Sequence, residues 1–339
     1  MTYSEIGSEF WIADNGIAPV NERDGLFVLS GRTAIDLILQ DILKHKSVKN
    51  VYMPAYCCDS MIAPFRQRNI RVDFYDMFFD GQLKYEIDAG KNADILYVSN
   101  YFGYENTLSD ELIHHFKENG SIILYDRTHA FLMDNSDLPD ADYTFVSLRK
   151  WMGVATGAKV KGLNPVKLSA CPYTEAKAQA MRAKYQYLNG DSSVEKTSFL
   201  EAFACFGKQL EQDYRNYGMD DLSYALYKAE DLVKMRARRR TNAAFLHENL
   251  QLDFLGQLTE EACPLFVPVV FDIPALRDKV RKALIEARIY CPVHWPKNSL
   301  ITADMKVNRL FYCELSLICD QRYGLEEMSY IVQKIQESI

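Results

Sequence analysis

The sequence predicts an α/β protein with a mostly parallel main sheet covered by helices, followed by a smaller C-terminal α+β unit. Three observations lead there. Short β-branched and aromatic runs alternate with helical patterns through the first half of the chain. Chemistry-bearing residues fall where such runs end, and open α/β sheets collect their ligands at the carboxyl ends of strands. The last third then changes to a compact mixture of strand and helix patterns.

The elements follow in order. After Ser30-Gly31, apolar residues recur at Ile35, Ile38, Leu39, Ile42 and Leu43, which is one stripe of a helix. Strands are expected at Val51–Met53, Val72–Tyr75, Ile95–Val98, Ile122–Tyr125 and Tyr143–Val146. A helix over Asp110–Glu118 has Ser109 as its N-cap and Gly120 just past its end. From about Pro172 to Tyr217 the chain is polar and helical, and one long helix is expected over Asp221–Leu250. The C-terminal part reads as strand Leu265–Phe271, helix Pro274–Ala287, extended Ile289–Trp295, strand Leu310–Leu317 and helix Leu325–Ile335. A large domain over residues 1–230, with an N-terminal arm, and a small one over 231–339 are expected.

Composition bounds the function. With 339 residues, 48% of them hydrophobic, the chain can bury a large core. Its net charge of −7 argues against nucleic-acid binding, which needs a basic surface. The basic run Arg236–Arg240 reads as the solvated face of a helix. Eight dispersed cysteines without a Cys-x-x-Cys indicate neither a metal site nor a disulfide framework. No apolar run approaches a membrane span, so a cytoplasmic protein without a membrane partner is expected.

The chemistry gathers at strand ends. Ser147-Leu148-Arg149-Lys150-Trp151 closes a strand and opens onto Gly153-Val154-Ala155-Thr156-Gly157. A lysine there is well placed to hold an aldehyde as a Schiff base. Asp126 ends Ile122–Tyr125, where a carboxylate keeps a pyridine nitrogen protonated or simply caps the turn. Ser30-Gly31-Arg32-Thr33 precedes the first helix, where free amides and the helix dipole favour an anion, although a plain N-cap also fits.

These segments, in this order, resemble the sugar-aminotransferase family called DegT/DnrJ/EryC1/StrS, pyridoxal-phosphate (PLP) enzymes of aspartate-aminotransferase fold type I. The resemblance covers nearly the whole chain and implies a seven-stranded type of sheet. Ser30-Gly31-Arg32-Thr33-Ala34-Ile35 is similar to the family's phosphate loop, which implies phosphate contacts at Gly31, Arg32 and Thr33. Tyr125-Asp126-Arg127-Thr128-His129-Ala130 is similar to its Glu-Asp-Ala-Ala-Gln-Ala segment. That implies Asp126 on the pyridine nitrogen and His129 near the phenolic oxygen. Asn216-Tyr217-Gly218-Met219-Asp220-Asp221 is similar to the segment whose asparagine reaches the phosphate of a partner subunit, implying a homodimer with shared sites. Pro292-Val293-His294-Trp295-Pro296 resembles a stretch lining the substrate cleft, and His294, Trp295 and Arg149 are the candidate substrate contacts.

The chain also departs from the family pattern. The family's phosphate-binding serine stands five residues before the lysine, whereas Ser147 stands three before Lys150. Cys58 aligns with the aromatic residue that stacks on the cofactor ring, so either its sulfur meets the ring or Tyr56 or Tyr101 takes over. The resemblance implies transfer of an amino group from glutamate or glutamine to a keto acceptor, a nucleotide-linked keto sugar. The alternatives are another reaction on the same cofactor, such as a lyase or desulfurase, and a non-catalytic protein of this fold. A desulfurase needs a mobile cysteine after the lysine; Cys171 and Cys205 are in range, without a recognisable motif.

Overall fold

The computed structural model describes residues 5–13, 16–17, 20, 22–105 and 108–339. In chain order the strands are β1 (Ile6–Gly7), β2 (Leu26–Val28), β3 (Asn50–Pro54), β4 (Arg71–Phe79), β5 (Leu83–Glu86), β6 (Ile95–Ser99) and β7 (Ile122–Asp126). They continue with β8 (Tyr143–Ser147), β9 (Ala158–Lys161), β10 (Asp253–Phe254), β11 (Val267–Val270), β12 (Ile289–Tyr290) and β13 (Glu314–Leu317). The helices are α1 (Gly31–His45), α2 (Asp59–Arg66), α3 (Asp110–Glu118), α4 (Thr174–Leu188) and α5 (Lys196–Gln212). After them come α6 (Asp221–Ala229), α7 (Leu232–Asn249), α8 (Pro274–Glu286), α9 (Asn308–Cys313) and α10 (Leu325–Gln336).

The chain forms two compact units. The first comprises the N-terminal residues up to Ser8, Val48–Asp142 and Asp231–Ile339; the second comprises Glu9–Ser47 and Tyr143–Glu230.

In the first unit the strands run in the order β7-β6-β3-β4-β5. All these pairs are parallel except β4–β5, an antiparallel edge. The parallel members are buried along their length at β3 and β6, as strands covered on both faces must be. The expected cap of α3 is present: Ser109 Oγ accepts from Leu112 N at 3.2 Å. Gly120 follows at φ +86°, a conformation that costs glycine nothing. The same unit carries the antiparallel set β10-β11-β13 and the short parallel pair β1–β12. Its core is unusually aromatic, with Tyr52, Tyr56, Tyr75, Tyr101, Phe102, Tyr104, Phe116 and Phe311 in one cluster.

The second unit holds the antiparallel strands β2-β9-β8 and helices α1, α4, α5 and α6. Its cores are Ile12, Ala178, Met181, Phe199 and Phe203 on one side, and Leu29, Tyr173, Phe206 and Tyr214 on another.

The structure corrects several readings. The long helix expected over Asp221–Leu250 is two helices, because Glu230 is extended and Asp231 starts afresh, its carboxylate accepting from Lys234 N at 3.0 Å. The strand expected over Leu310–Leu317 begins as helix α9 and becomes β13 only at Glu314. The Arg236–Arg240 run is not a solvated face. Arg236 donates to Glu260 O at 2.8 Å, Arg239 to Leu265 O at 3.0 Å and Arg240 to Thr259 O at 2.8 Å, so these residues pin the 259–265 segment to α7. Arg239 is fully buried, and only Arg238 of the arginines in the run is exposed. Among the described residues no helix is long and apolar enough to cross a membrane.

Candidate active site

The predicted residues fall into two clusters, one in each unit. In the second unit β2 ends at Val28 and hands over to α1. Ser30 caps that helix, its Oγ accepting from Thr33 N at 3.2 Å. Thr33 is buried, and its hydroxyl donates to Tyr214 O at 2.8 Å, so it braces the loop from within. Gly31 opens the first turn against Ser147: a Cβ on Gly31 would lie 3.5 Å from Ser147 Cβ and 3.8 Å from its Oγ. The shortened spacing therefore still leaves Ser147, the last residue of β8, beside the start of α1, and Leu148–Lys150 follow it as a tight 3₁₀ turn. Arg32 donates from Nη1 to Leu210 O at 2.7 Å and covers the Tyr214 ring at 5.5 Å, while its buried Nε has no hydrogen-bond partner among the described residues. A helix N-terminus, a hydroxyl and an orphaned guanidinium N–H together make a donor set that fits a phosphate.

Lys150 ends the 3₁₀ turn with its side chain exposed, flanked by the fully buried Trp151. The Arg149 guanidinium lies over Phe206 at 5.2 Å. Glu9, a residue the sequence did not single out, binds the buried Lys177 at 2.6 Å. Burial pushes the Glu9 carboxyl up, but Lys177, with Arg149 and Lys150, outweighs it and holds the group below the usual carboxylate range. Asn216 is exposed at φ +59°, a left-handed conformation asparagine tolerates, and its Oδ1 accepts from Gln40 at 2.9 Å.

In the first unit β7 ends in Asp126, 6% exposed. Its Oδ2 accepts from the Tyr97 hydroxyl at 2.8 Å and its Oδ1 from Thr128 N at 2.9 Å. Burial, and then the Asp126 charge, push the Tyr97 hydroxyl far above its ordinary range, which keeps it a donor. His129 follows on a 3₁₀ turn, and its Nδ1 accepts from Phe102 N at 3.1 Å, leaving Nε2 as the nitrogen that bears the neutral ring's proton. Gly103 makes this approach possible: at φ +79° it packs so tightly that a Cβ would lie 2.0 Å from Cys263 O and 2.9 Å from His129 O.

His129 stacks on Trp295 at 5.9 Å and 26°, and His294 meets the Trp295 ring edge-on at 5.2 Å. Tyr56 stacks on Tyr101 at 5.6 Å, and the Tyr101 hydroxyl donates to the Tyr56 carbonyl, so both rings belong to the aromatic core. Cys58 caps the start of α2, half-buried, with its sulfur 2.9 Å from Ser60 Oγ. Sequence reasoning missed Tyr97, Glu9, Lys177, Glu314 and Ser316. For the last two a signal existed: polar residues alternate inside β13, a strand that is otherwise apolar.

No family model matches the sequence, and no curated protein sequence matches it either. Solved structures do share the fold. The chain is similar to Helicobacter pylori PseC, an aminotransferase involved in pseudoaminic acid biosynthesis, with a TM-score of 0.66 and 13% identity, covering 92% of this chain and 85% of that one. It is similar to the PLP form of Spr1654 from Streptococcus pneumoniae, with a TM-score of 0.64 and 14% identity over 92% and 86% of the two chains. It is likewise similar to DesI, solved with its TDP-sugar product, with a TM-score of 0.63 and 15% identity over 93% and 80%. The chain therefore shares the fold of these solved aminotransferase structures, an α/β architecture with a mostly parallel sheet.

Proposed function

We propose that this chain is a PLP-dependent aminotransferase that moves an amino group from glutamate or glutamine to a keto acceptor, a nucleotide-linked keto sugar. One observation carries the reading: a single strand-to-turn segment places Ser147 against the first turn of α1 and presents the exposed Lys150 three residues later. The similarity of fold to PseC, and to DesI solved with its TDP-sugar product, supports the sugar acceptor.

The residues divide the work. Gly31, Arg32 and Ser147 would hold the cofactor phosphate, Lys150 its aldehyde carbon and Asp126 its ring nitrogen. When bound, PLP supplies an electron sink for charge that develops beside the amino-bearing carbon of the substrate. Asp126 keeps the ring nitrogen protonated, and Tyr97 and Thr128 hold that carboxylate in place. The amine of Lys150, released by the incoming donor, takes a proton from the donor α-carbon as general base and returns it as acid. Glu9, with its carboxylate in the field of Arg149, Lys150 and Lys177, keeps that cationic cluster balanced. His129 Nε2 would serve the phenolic oxygen, and Trp295 and His294 would line the acceptor side. Asn216, exposed and left-handed, is the residue offered to the phosphate of a second copy in a homodimer.

The test is the half-reaction. Protein reconstituted with PLP and given glutamate or glutamine alone should lose its visible absorbance as the cofactor takes the amino group, and regain it on addition of a keto acceptor. Product release without conversion of the cofactor to its amino form would instead mark a lyase. No spectral change with any amino donor would overturn the reading.

A further inference from the structure

Strand β13 is buried along its length, yet it carries Glu314 and Ser316 two residues apart on one face, both with no exposed surface. Ser316 Oγ donates to Glu314 Oε1, and His294 Nδ1 lies 2.8 Å from Ser316 Oγ. The His294 backbone N–H donates to Glu314 Oε2 at 2.8 Å, so the histidine is tied to the carboxyl at two points. A carboxyl with no exposed surface is costly to keep ionised, and nothing in packing alone calls for one.

The ionisable groups facing it come from every neighbouring element. Arg277 on α8 donates from Nη1 to the Glu314 carbonyl at 3.0 Å and from Nε to Asp278 at 2.7 Å. Tyr56, after β3, brings a buried hydroxyl beside this carboxyl, to which it is a hydrogen-bond donor. Cys291 and His294 approach from the segment at the end of β12. Burial outweighs the hydrogen bonds from Ser316 and His294 and the charge of Arg277, and pushes the Glu314 carboxyl up to about 8. A group so placed exchanges its proton in the range where a proton-transfer enzyme works.

We infer that Glu314, Ser316 and His294 form a proton relay in which a proton taken up at His294 Nε2 is delivered to Glu314 Oε1. The same heavy-atom positions admit two proton arrangements. With Glu314 ionised, the Ser316 hydroxyl donates to Glu314, His294 Nδ1–H donates to Ser316, and Nε2 carries no proton. When Nε2 gains a proton, Nδ1–H passes its proton to Ser316 Oγ as Ser316 passes its own to Glu314. Glu314 is then a neutral acid donating to Ser316, Ser316 donates to Nδ1, and the neutral histidine carries its proton on Nε2. One proton has entered, the chain has gone from one negative charge to none, and no heavy atom has moved.

The relay ends at the wall where His294 lies 6.2 Å from His129 and 5.2 Å from Trp295 between ring centroids. Amination of a keto acceptor expels its carbonyl oxygen as water, which requires a proton at that oxygen, and Nε2–H would supply it. That use rests on the functional reading above; the relay itself does not.

The test reads the histidine tautomer directly, in the full chain without cofactor. Protein labelled with nitrogen-15 histidine is followed by NMR from about pH 6 to about pH 10, with His294→Gln assigning the resonance. The wild type should change from the Nε2–H tautomer to the Nδ1–H tautomer as Glu314 loses its proton. In Glu314→Gln the amide should donate to Ser316 as the acid does and lock Nε2–H at every pH. Ser316→Ala should abolish the coupled change, and Ser316→Thr should restore it. A wild-type His294 that keeps one tautomer throughout, or a Glu314→Gln variant that still switches, would overturn the relay. Should Glu314→Gln fail to fold, the Ser316 pair decides alone: a change retained in Ser316→Ala would overturn it. Because no cofactor or substrate is present, failure here and failure of the aminotransferase reading are separate results.

Discussion

The cluster around Lys150 and the cluster around Asp126 and His294 solve different problems, and their construction differs accordingly. Around Lys150 the key side chains are accessible: Lys150 and Asn216 are exposed, and the proposed anion donors are a helix N-terminus and cations held over aromatic rings. Around Asp126 the key groups are buried: Asp126 is 6% exposed, His129 7% and His294 6%, and each has a named hydrogen-bond partner. A residue that must bond, release and rebond needs freedom to move. A residue that must keep or pass a proton needs a fixed, dry setting.

This contrast can be broken by mutation. Lys150→Ala should lower the donor half-reaction by about 10²–10⁴-fold while leaving the unfolding midpoint nearly unchanged, since the side chain is exposed. Stopped-flow absorbance and denaturant unfolding check both parts. Gly103→Ala should do the reverse, costing more than about 3 kcal/mol of stability, because the added Cβ meets two carbonyl oxygens at a left-handed position. Denaturant unfolding reads that loss, and a midpoint equal to wild type would show that the 102–104 turn is more pliable than its packing implies.

Glu314 sharpens the buried side. Its folded pKa of about 8 lies above the ordinary carboxyl value of 4.5, so the folded state holds the proton that the unfolded state releases between those two values. Its contribution is therefore fully present below 4.5 and is lost as pH rises towards about 8, by up to about 1.4 kcal/mol for each unit. Glu314→Gln should remove that slope and gain on the wild type as pH rises; parallel stability curves would contradict the burial argument. Smallest in scale is a comparison along α7. Arg239→Met, which frees the Pro264 and Leu265 carbonyls, should cost about 2 kcal/mol, and the exposed Arg238→Ala less than about 0.5 kcal/mol.

Local signals were legible in the sequence. The stripe of α1 with its Ser30 cap, the strand that ends at Asp126 and the turn that carries Lys150 all appear where residue pattern placed them. Each depends on neighbours a few residues away. The missed features depend on partners far along the chain. Strands β2 and β9 exist because they pair with each other across more than a hundred residues, and Gly157 and Met219 meet at their edge. The break at Asp231 was hidden by helix-forming residues on both sides, and only the cap geometry reveals it. The arginines of α7 looked solvated because their carbonyl partners lie some twenty residues downstream, invisible to periodicity. Glu314 and Ser316 are polar positions in an apolar strand whose partner, His294, arrives from another segment.

The central claim concerns Lys150, and covalent labelling tests it most directly. Protein reconstituted with PLP is reduced with borohydride, digested and mapped by mass spectrometry. One stable adduct is expected, on the peptide containing Lys150, and it should disappear in Lys150→Ala. An adduct on a different lysine, or no adduct at all, would contradict the claim.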